Sequence, residues 1–508
     1  MKNLAIVLIL TLFTCGCTVG PNYKRPAVDV PGTYRGAAQE EAAQPQPSAS
    51  QSASPPAENA PQQGAQAPDA AQKQTAPPAN AEQKQTAPPA EQSIGDQKWW
   101  EVFQDPQLQD LIRNALKQNY DVRIAAARIL QAQAQFKITR ADQLPTISAG
   151  AAAFNDRIPQ TKFFNEFETS WGTVSASLAW DLDFWGKYRR ATEAARANLL
   201  ATEWGRRSVI NSLVSDVAAA YFQLRTYDAQ LDIARRTLAS RQESLQLTQA
   251  LADGGAGTLL DVRQAEQLVA VAAETIPDLE RRIEQQENFL SILLGRNPGP
   301  IARGLKLTEQ PHAPEVPAGL PSSLLVRRPD IRQAEDQLIA ANAEIGVARA
   351  AYFPQILLTG TGGFLSSALT SLFTGPAGLW NFGAVVTQPI FAGGRIKGGV
   401  RLAEARQQEA VLVYQRTIQE AFRGVSDSLV EYRKDREFRE HQQELVFAAN
   451  DAARLSEVRF RGGATSFLEV LTNETNAFNA ELGLAQAQLN ELVGLVDIYR
   501  NLGGGWQL

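Results

Sequence analysis

Cysteine is nearly absent from this sequence. The only two, Cys15 and Cys17, lie at the extreme N-terminus. The rest of the chain therefore holds no internal disulfide, no cysteine metal site and no thiol nucleophile. Histidine is as scarce: His312 and His441 stand alone and far apart, which argues against a metal site or a catalytic triad. Beyond the first twenty residues no apolar run reaches about 18, so no membrane-spanning helix is available. A large charge excess is missing too. With 49 basic and 54 acidic residues the net charge is −5, and nothing suggests a nucleic-acid partner.

What is present begins with Lys2 and an apolar run from Leu4 to Phe13. A positive charge, a short apolar segment and small residues describe a secretory signal. Cleavage after Gly16 leaves Cys17 as the first mature residue; Cys15 is the weaker alternative, because bulkier Thr14 precedes it. From Ala37 to Gln92 the chain is Ala, Gln, Pro and Ser, and Gln72–Ala79 recurs as Gln83–Ala90. Such composition cannot bury a core, so a disordered tether between the N-terminus and the body is expected.

The body contains one stretch twice. Asp121-Val122-Arg123 aligns with Asp330-Ile331-Arg332, Pro145 with Pro354, Gly186 with Gly393, and Leu260-Asp261-Val262 with Leu468-Glu469-Val470. The offset stays within two residues of 208 throughout. Each copy opens with a helix: Asp105 as N-cap before Pro106 in the first, Arg328-Pro329-Asp330 in the second. Each continues with alternating strands. Val174, Ala176, Leu178, Trp180, Leu182 and Phe184 share one face from Thr173 to Phe184; Trp380, Phe382, Ala384 and Val386 repeat the pattern. Partner strands are expected over 146–154 and 356–364. Aromatics at the tips (Phe163, Phe164, Phe167, Trp171, Phe364, Phe373) fit either a membrane-interface girdle or ordinary packing.

Long helices follow. From Arg189 to Asp253 there is no proline, which makes a helix on the order of 90 Å long. A return arm, 258–294, follows Gly254-Gly255-Ala256-Gly257, and Pro277 should kink it. The second copy repeats this over 397–461, a turn at Gly462-Gly463, and 464–502. Small residues and apolar spacing of three and four favour coiled-coil packing. The fold class is therefore mainly α with a small β part, built as an internal two-fold repeat of long helical hairpins. Two strands per copy make four per chain. A membrane sheet must close, and closure takes about eight strands, so a membrane-inserted reading requires several copies.

The residues that carry a resemblance are Cys17 to Pro26, Trp180-Asp181-Leu182-Asp183-Phe184-Trp185-Gly186, Leu320 to Ile331, Gln388 to Arg395, and Leu502 to Trp506. Through them the chain resembles the outer membrane factor, TolC-like family, in its lipoprotein branch serving resistance-nodulation-division efflux systems. Thr14-Cys15-Gly16-Cys17 is similar to a lipobox, which implies a covalent lipid on Cys17 and no other cofactor. Thr18 after the cysteine resembles an outer-membrane sorting signal. The resemblance implies a homotrimer with a 12-stranded outer-membrane barrel and a helical periplasmic tunnel, partnered by an adaptor protein and an inner-membrane pump. It implies a passive exit duct for drugs and other small amphiphiles, not an enzyme. Hairpin tips at Gly254, Gly255, Gly462 and Gly463 would face the adaptor and pump. Arg461 matches the basic gate position; Thr472 stands where the family often has an acid, and Glu469, Glu474 and Asp261 are alternative acids. Asp181 and Asp183 suggest an acidic lining. The chain thus divides into signal peptide 1–16, lipidated segment 17–36, tether 37–93, first repeat 94–300, connector 301–323 and second repeat 324–508. Two other readings remain open: a duct for type I protein secretion, and a lipid-anchored structural coiled coil.

Overall fold

The computed structural model describes residues 18–35, 93–160, 163, 166–311, 316–319 and 321–506. Cys15, Cys17, Phe164, His312 and most of the proposed tether lie outside them. The short α1 (Trp99–Val102) leads into α2 (Pro106–Gln118) and α3 (Tyr120–Ala141), then β1 (Thr146–Ile158) and β2 (Phe167–Asp181). The long α4 (Lys187–Asp253) and its return arm α5 (Leu259–Leu293) complete the first copy. After a connector come α6 (Pro321–Arg327), α7 (Pro329–Ala350), β3 (Gln355–Ser366) and β4 (Gly378–Thr387). The second hairpin, α8 (Arg395–Arg461) and α9 (Phe467–Asn501), closes the chain.

The repeat is faithful in length. Helices α4 and α8 are both 67 residues long, and α5 and α9 both 35. All four boundaries differ by 208 positions. At about 1.5 Å per residue the longer arms reach roughly 100 Å.

Two expectations need correcting. The opening helix is broken: the Asn119 side chain accepts from the N–H groups of Asp121 and Val122 and starts α3 afresh after α2. The β2 strand ends at Asp181, not Phe184, because Asp183 caps α4 by accepting from the Arg189 N–H at 2.8 Å. Pro277 lies inside α5, which runs on as one helix across it.

Asp105 organises the first copy. Fully buried, its carboxylate accepts from the Gln107 and Leu108 N–H groups, so it caps α2. It also takes the Tyr221 hydroxyl at 2.9 Å, the Gln310 amide at 3.0 Å and the Leu305 N–H at 3.0 Å. The long helix is thereby tied to the connector. The main core surrounds this point. Leu108, Ile112, Val214 and Tyr221 pack with Ile418, Val425 and Tyr499 from the second hairpin. Burial in α4 is densest between Ile210 and Ala234, so the core grips each long helix near its middle and leaves both ends to other partners.

Residues 18–35 form an extended strap on this body. The Val19 N–H donates to the Trp185 carbonyl at 3.0 Å, directly below β2. Farther along, the Asn342 amide donates to the Pro21 carbonyl at 3.0 Å, Arg25 pairs with Glu335, and Tyr34 is buried beside Phe422. Gly20 takes φ +109° and crosses Gly346 so closely that a Cβ on Gly20 would lie 2.6 Å from the Gly346 Cα. The strap already joins the N-terminus to the body. On the same body, Arg327 donates to the Ser93 hydroxyl at 3.1 Å.

Candidate functional site: the membrane sheet and the hairpin tips

The four strands form one antiparallel sheet in the order β1-β2-β3-β4, and the two copies join at β2–β3. The register sorts side chains by face. Ile147 lies opposite Leu178, Trp180 opposite Leu358, and Ile356 opposite Val386 on one side. Ser148 lies opposite Ser177, Ser177 opposite Thr361, and Thr361 opposite Asn381 on the other. Both alternations match across all four strands, which places a whole apolar wall on one side. On that wall Trp380 and Phe382 stack with ring centroids 5.7 Å apart. They stand opposite Gly362 and Gly360 and are 76% and 80% exposed. Hiding such a ring from water is worth about 1.5–3 kcal/mol, so an aqueous environment for this face is unfavourable. At the tips Phe154 packs on Trp171 and Phe364 on Phe373, while Phe163 projects.

Among the described residues the outer edges of β1 and β4 have no neighbouring strand. They run for 13 and 10 residues, each with backbone groups left to pair.

At the opposite end two glycine turns reverse the hairpins. In each, the first glycine stays right-handed (Gly254 φ −79°, Gly462 φ −84°) and the second goes left-handed (Gly255 φ +74°, Gly463 φ +71°). The Ala256 N–H reaches back to the Leu251 carbonyl and the Ala464 N–H to the Arg459 carbonyl, both at 2.8 Å. This is the glycine C-cap arrangement. Gly463→Ala should cost about 1–2 kcal/mol locally. Faster hydrogen exchange in the adjoining last turn of α8, with the rest of the chain unchanged, would register it.

The gate candidates sit here but do not pair with one another. Arg461 bonds Glu457 one turn back on its own helix. Glu469 takes the Thr465 hydroxyl and an ion pair from Arg459 at 3.5 Å. Thr472 bonds back to the Leu468 carbonyl at 2.8 Å. Thr258 caps α5 by accepting from the Asp261 N–H, and the Asp261 carboxylate accepts back from the Thr258 N–H and hydroxyl. Within one chain, then, the acid beside Arg461 is Glu457, a residue that reading by family position missed. Its signal was present: an acid four residues before an arginine on a helix. Phe467 and Val470 pack on Ala265 beneath these charges and hold the two tips side by side. Asp181 accepts from the Tyr188 hydroxyl at 2.7 Å, so with Asp183 it serves the strand–helix junction.

Known proteins match this arrangement. The family "Outer membrane efflux protein" matches the chain twice, over residues 111–296 and 320–504, which are the two structural copies. The chain belongs to this family. A probable efflux pump outer membrane protein of Pseudomonas putida, TtgC, is 38% identical over 418 residues, covering 82% of this chain and 86% of the relative. The cation efflux system protein CusC of Escherichia coli is 36% identical, covering 80% and 88%. Among solved structures, the open-state outer membrane channel MtrE of Neisseria gonorrhoeae superposes with TM-score 0.79 at 31% identity, covering 96% and 99%. As a member of the outer membrane efflux protein family, the chain is an outer-membrane channel subunit of an efflux pump. The apolar wall is then the part that meets lipid. No helix among the described residues is long and apolar enough to cross a membrane. Those residues also contain no cluster fit to hold a metal, and His441 is an exposed partner of Glu444.

Proposed function

We propose that three copies close one barrel of twelve strands and stand as the passive exit duct of a tripartite pump. The observation that carries this is the sheet itself: among the described residues, four strands, one continuous apolar wall and two unpaired edges. An open edge is intolerable in lipid, and four strands cannot close. In this reading the edge of β1 pairs with β4 of a neighbour, and the long hairpins line up around the same axis. Their glycine-turn ends meet a periplasmic adaptor and an inner-membrane pump. The strap supports a lipid on Cys17, because Val19 and Thr18 lie against Trp185 and Gly186, level with the foot of the barrel. There the acyl chains enter the same leaflet and add a peripheral anchor.

The cargo is drugs and other small amphiphiles. Selection belongs to the pump. Relatives at 36–38% identity carry names as different as toluene efflux, antibiotic efflux and cation efflux. A duct of nearly constant design serves them all.

The test is purification in mild detergent followed by planar-bilayer recording. A heat-resistant trimer with discrete conductance steps is expected; a monomer without pores overturns the proposal. Arg461→Ala should raise conductance by loosening the closed tip, and an unchanged value removes Arg461 from the gate.

A further inference from the structure

Above the tips the two hairpins meet across a polar space of about 150 Å³, lined by Ser240, Arg241, Asn450, Glu474 and Phe478 among others. Arg241 on α4 is only 1% exposed. Its Nη1 donates to the Leu268 carbonyl on α5 at 2.9 Å, and its guanidinium lies 5.0 Å from the Phe478 ring centre on α9. Its Nε and Nη2 meet no acceptor among the described residues. Across the space, Glu474 on α9 takes the Ser244 hydroxyl at 3.4 Å with one oxygen, while the other is shielded from solvent. Two opposite charges thus face each other between the hairpins without a direct ion pair. The space is roomy enough for bridging water.

The surroundings tie this pair to the gate. From α8, Glu457 repels Glu474, and Glu457 is also the partner of Arg461. Asn450 of α8 donates to Glu481 of α9 at 3.0 Å, and Arg236 of α4 reaches the same carboxylate at 3.4 Å. From α5 the cluster receives the Leu268 carbonyl.

We propose that Arg241 and Glu474 are positioning residues for gating. They form a charge-controlled clasp that holds the second hairpin against the first, tighter when Glu474 carries a proton and looser when it is ionised. The sign follows from burial. Burial raises the Glu474 carboxyl above its ordinary value, Arg241 pulls it down by less, and Glu457 adds to the rise. When the hairpins part, water reaches Glu474 and its proton affinity falls back. The packed state binds the proton more tightly, so acid favours packed hairpins and a closed end. A one-unit difference in proton affinity changes the packed-to-parted ratio about tenfold.

This inference rests on the proposed duct closing at its hairpin tips. The experiment is single-channel conductance of the purified full-length protein as pH is lowered from neutral. Wild type should lose conductance on acidification. Glu474→Gln should be low and flat across the range, Arg241→Met should move the fall to higher pH, and Arg241→Lys should restore the wild-type curve. If Glu474→Gln does not assemble as the wild-type oligomer, Glu474→Asp serves and must displace the curve. A flat wild-type profile, or Glu474→Gln tracking wild type, overturns the clasp. A wild-type protein that forms no pore overturns the duct instead.

Discussion

Phe382→Lys is expected to abolish accumulation of the protein in the outer membrane, while Asn381→Lys, one residue away, is tolerated. Phe382 projects from the apolar wall opposite Gly360; Asn381 projects from the polar face opposite Thr361. A lysine on the lipid side costs about 2–4 kcal/mol at mid-membrane, and much less on the water-filled side. Every copy in the barrel carries the change, so the penalty multiplies with the number of subunits. Phe382→Leu keeps the wall apolar and should behave as wild type. The readout is the amount of heat-resistant oligomer in the outer-membrane fraction. Equal loss for both lysine variants would mean that the two faces of the sheet do not differ in environment.

Asp105→Ala should be the most damaging single change in the water-exposed body. It removes one fully buried carboxylate and leaves four donors without an acceptor: two backbone N–H groups of α2, the Tyr221 hydroxyl and the Leu305 N–H; the Gln310 amide keeps only the Leu305 carbonyl. Stranding buried donors costs about 1–3 kcal/mol each in isolation. Breaking such a hub costs roughly 3–5 kcal/mol once the surroundings relax. Asp105→Asn retains an acceptor oxygen for the cap and should lose less. The melting temperature of the oligomer, followed by circular dichroism, separates the two. An Asp105→Ala protein as stable as wild type would show that the connector does not depend on this carboxylate.

These residues differ in how openly the sequence displays them. The repeat, the long helices and the strand faces were legible because each is a periodic pattern sustained over many residues. Helices of 67 and 35 residues tolerate an error of two or three at either end. The limits of β2 were less legible. Apolar alternation continues through Leu182 and Phe184, and the Leu182 N–H still pairs with the Ile356 carbonyl, but Asp183 already accepts from the first turn of the next helix. The strap was not legible as structure. It has no period, and its partners Glu335 and Asn342 lie more than 300 positions away. The tip charges followed this pattern too. Family position pointed to Arg461 with Thr472 or Glu469, whereas local helix spacing decides its partner within the chain, and that partner is Glu457.

All of this depends on neighbouring subunits supplying the strands that one chain lacks. The most direct measurement is a cysteine pair placed on the outer edges of β1 and β4, one residue on each, in protein carrying no other cysteine beyond the N-terminal two. Oxidation in isolated outer membranes should link chains to one another and, at completion, give a closed covalent trimer on a denaturing gel. A bridge that forms only within single chains, or no bridge at all, would contradict the account.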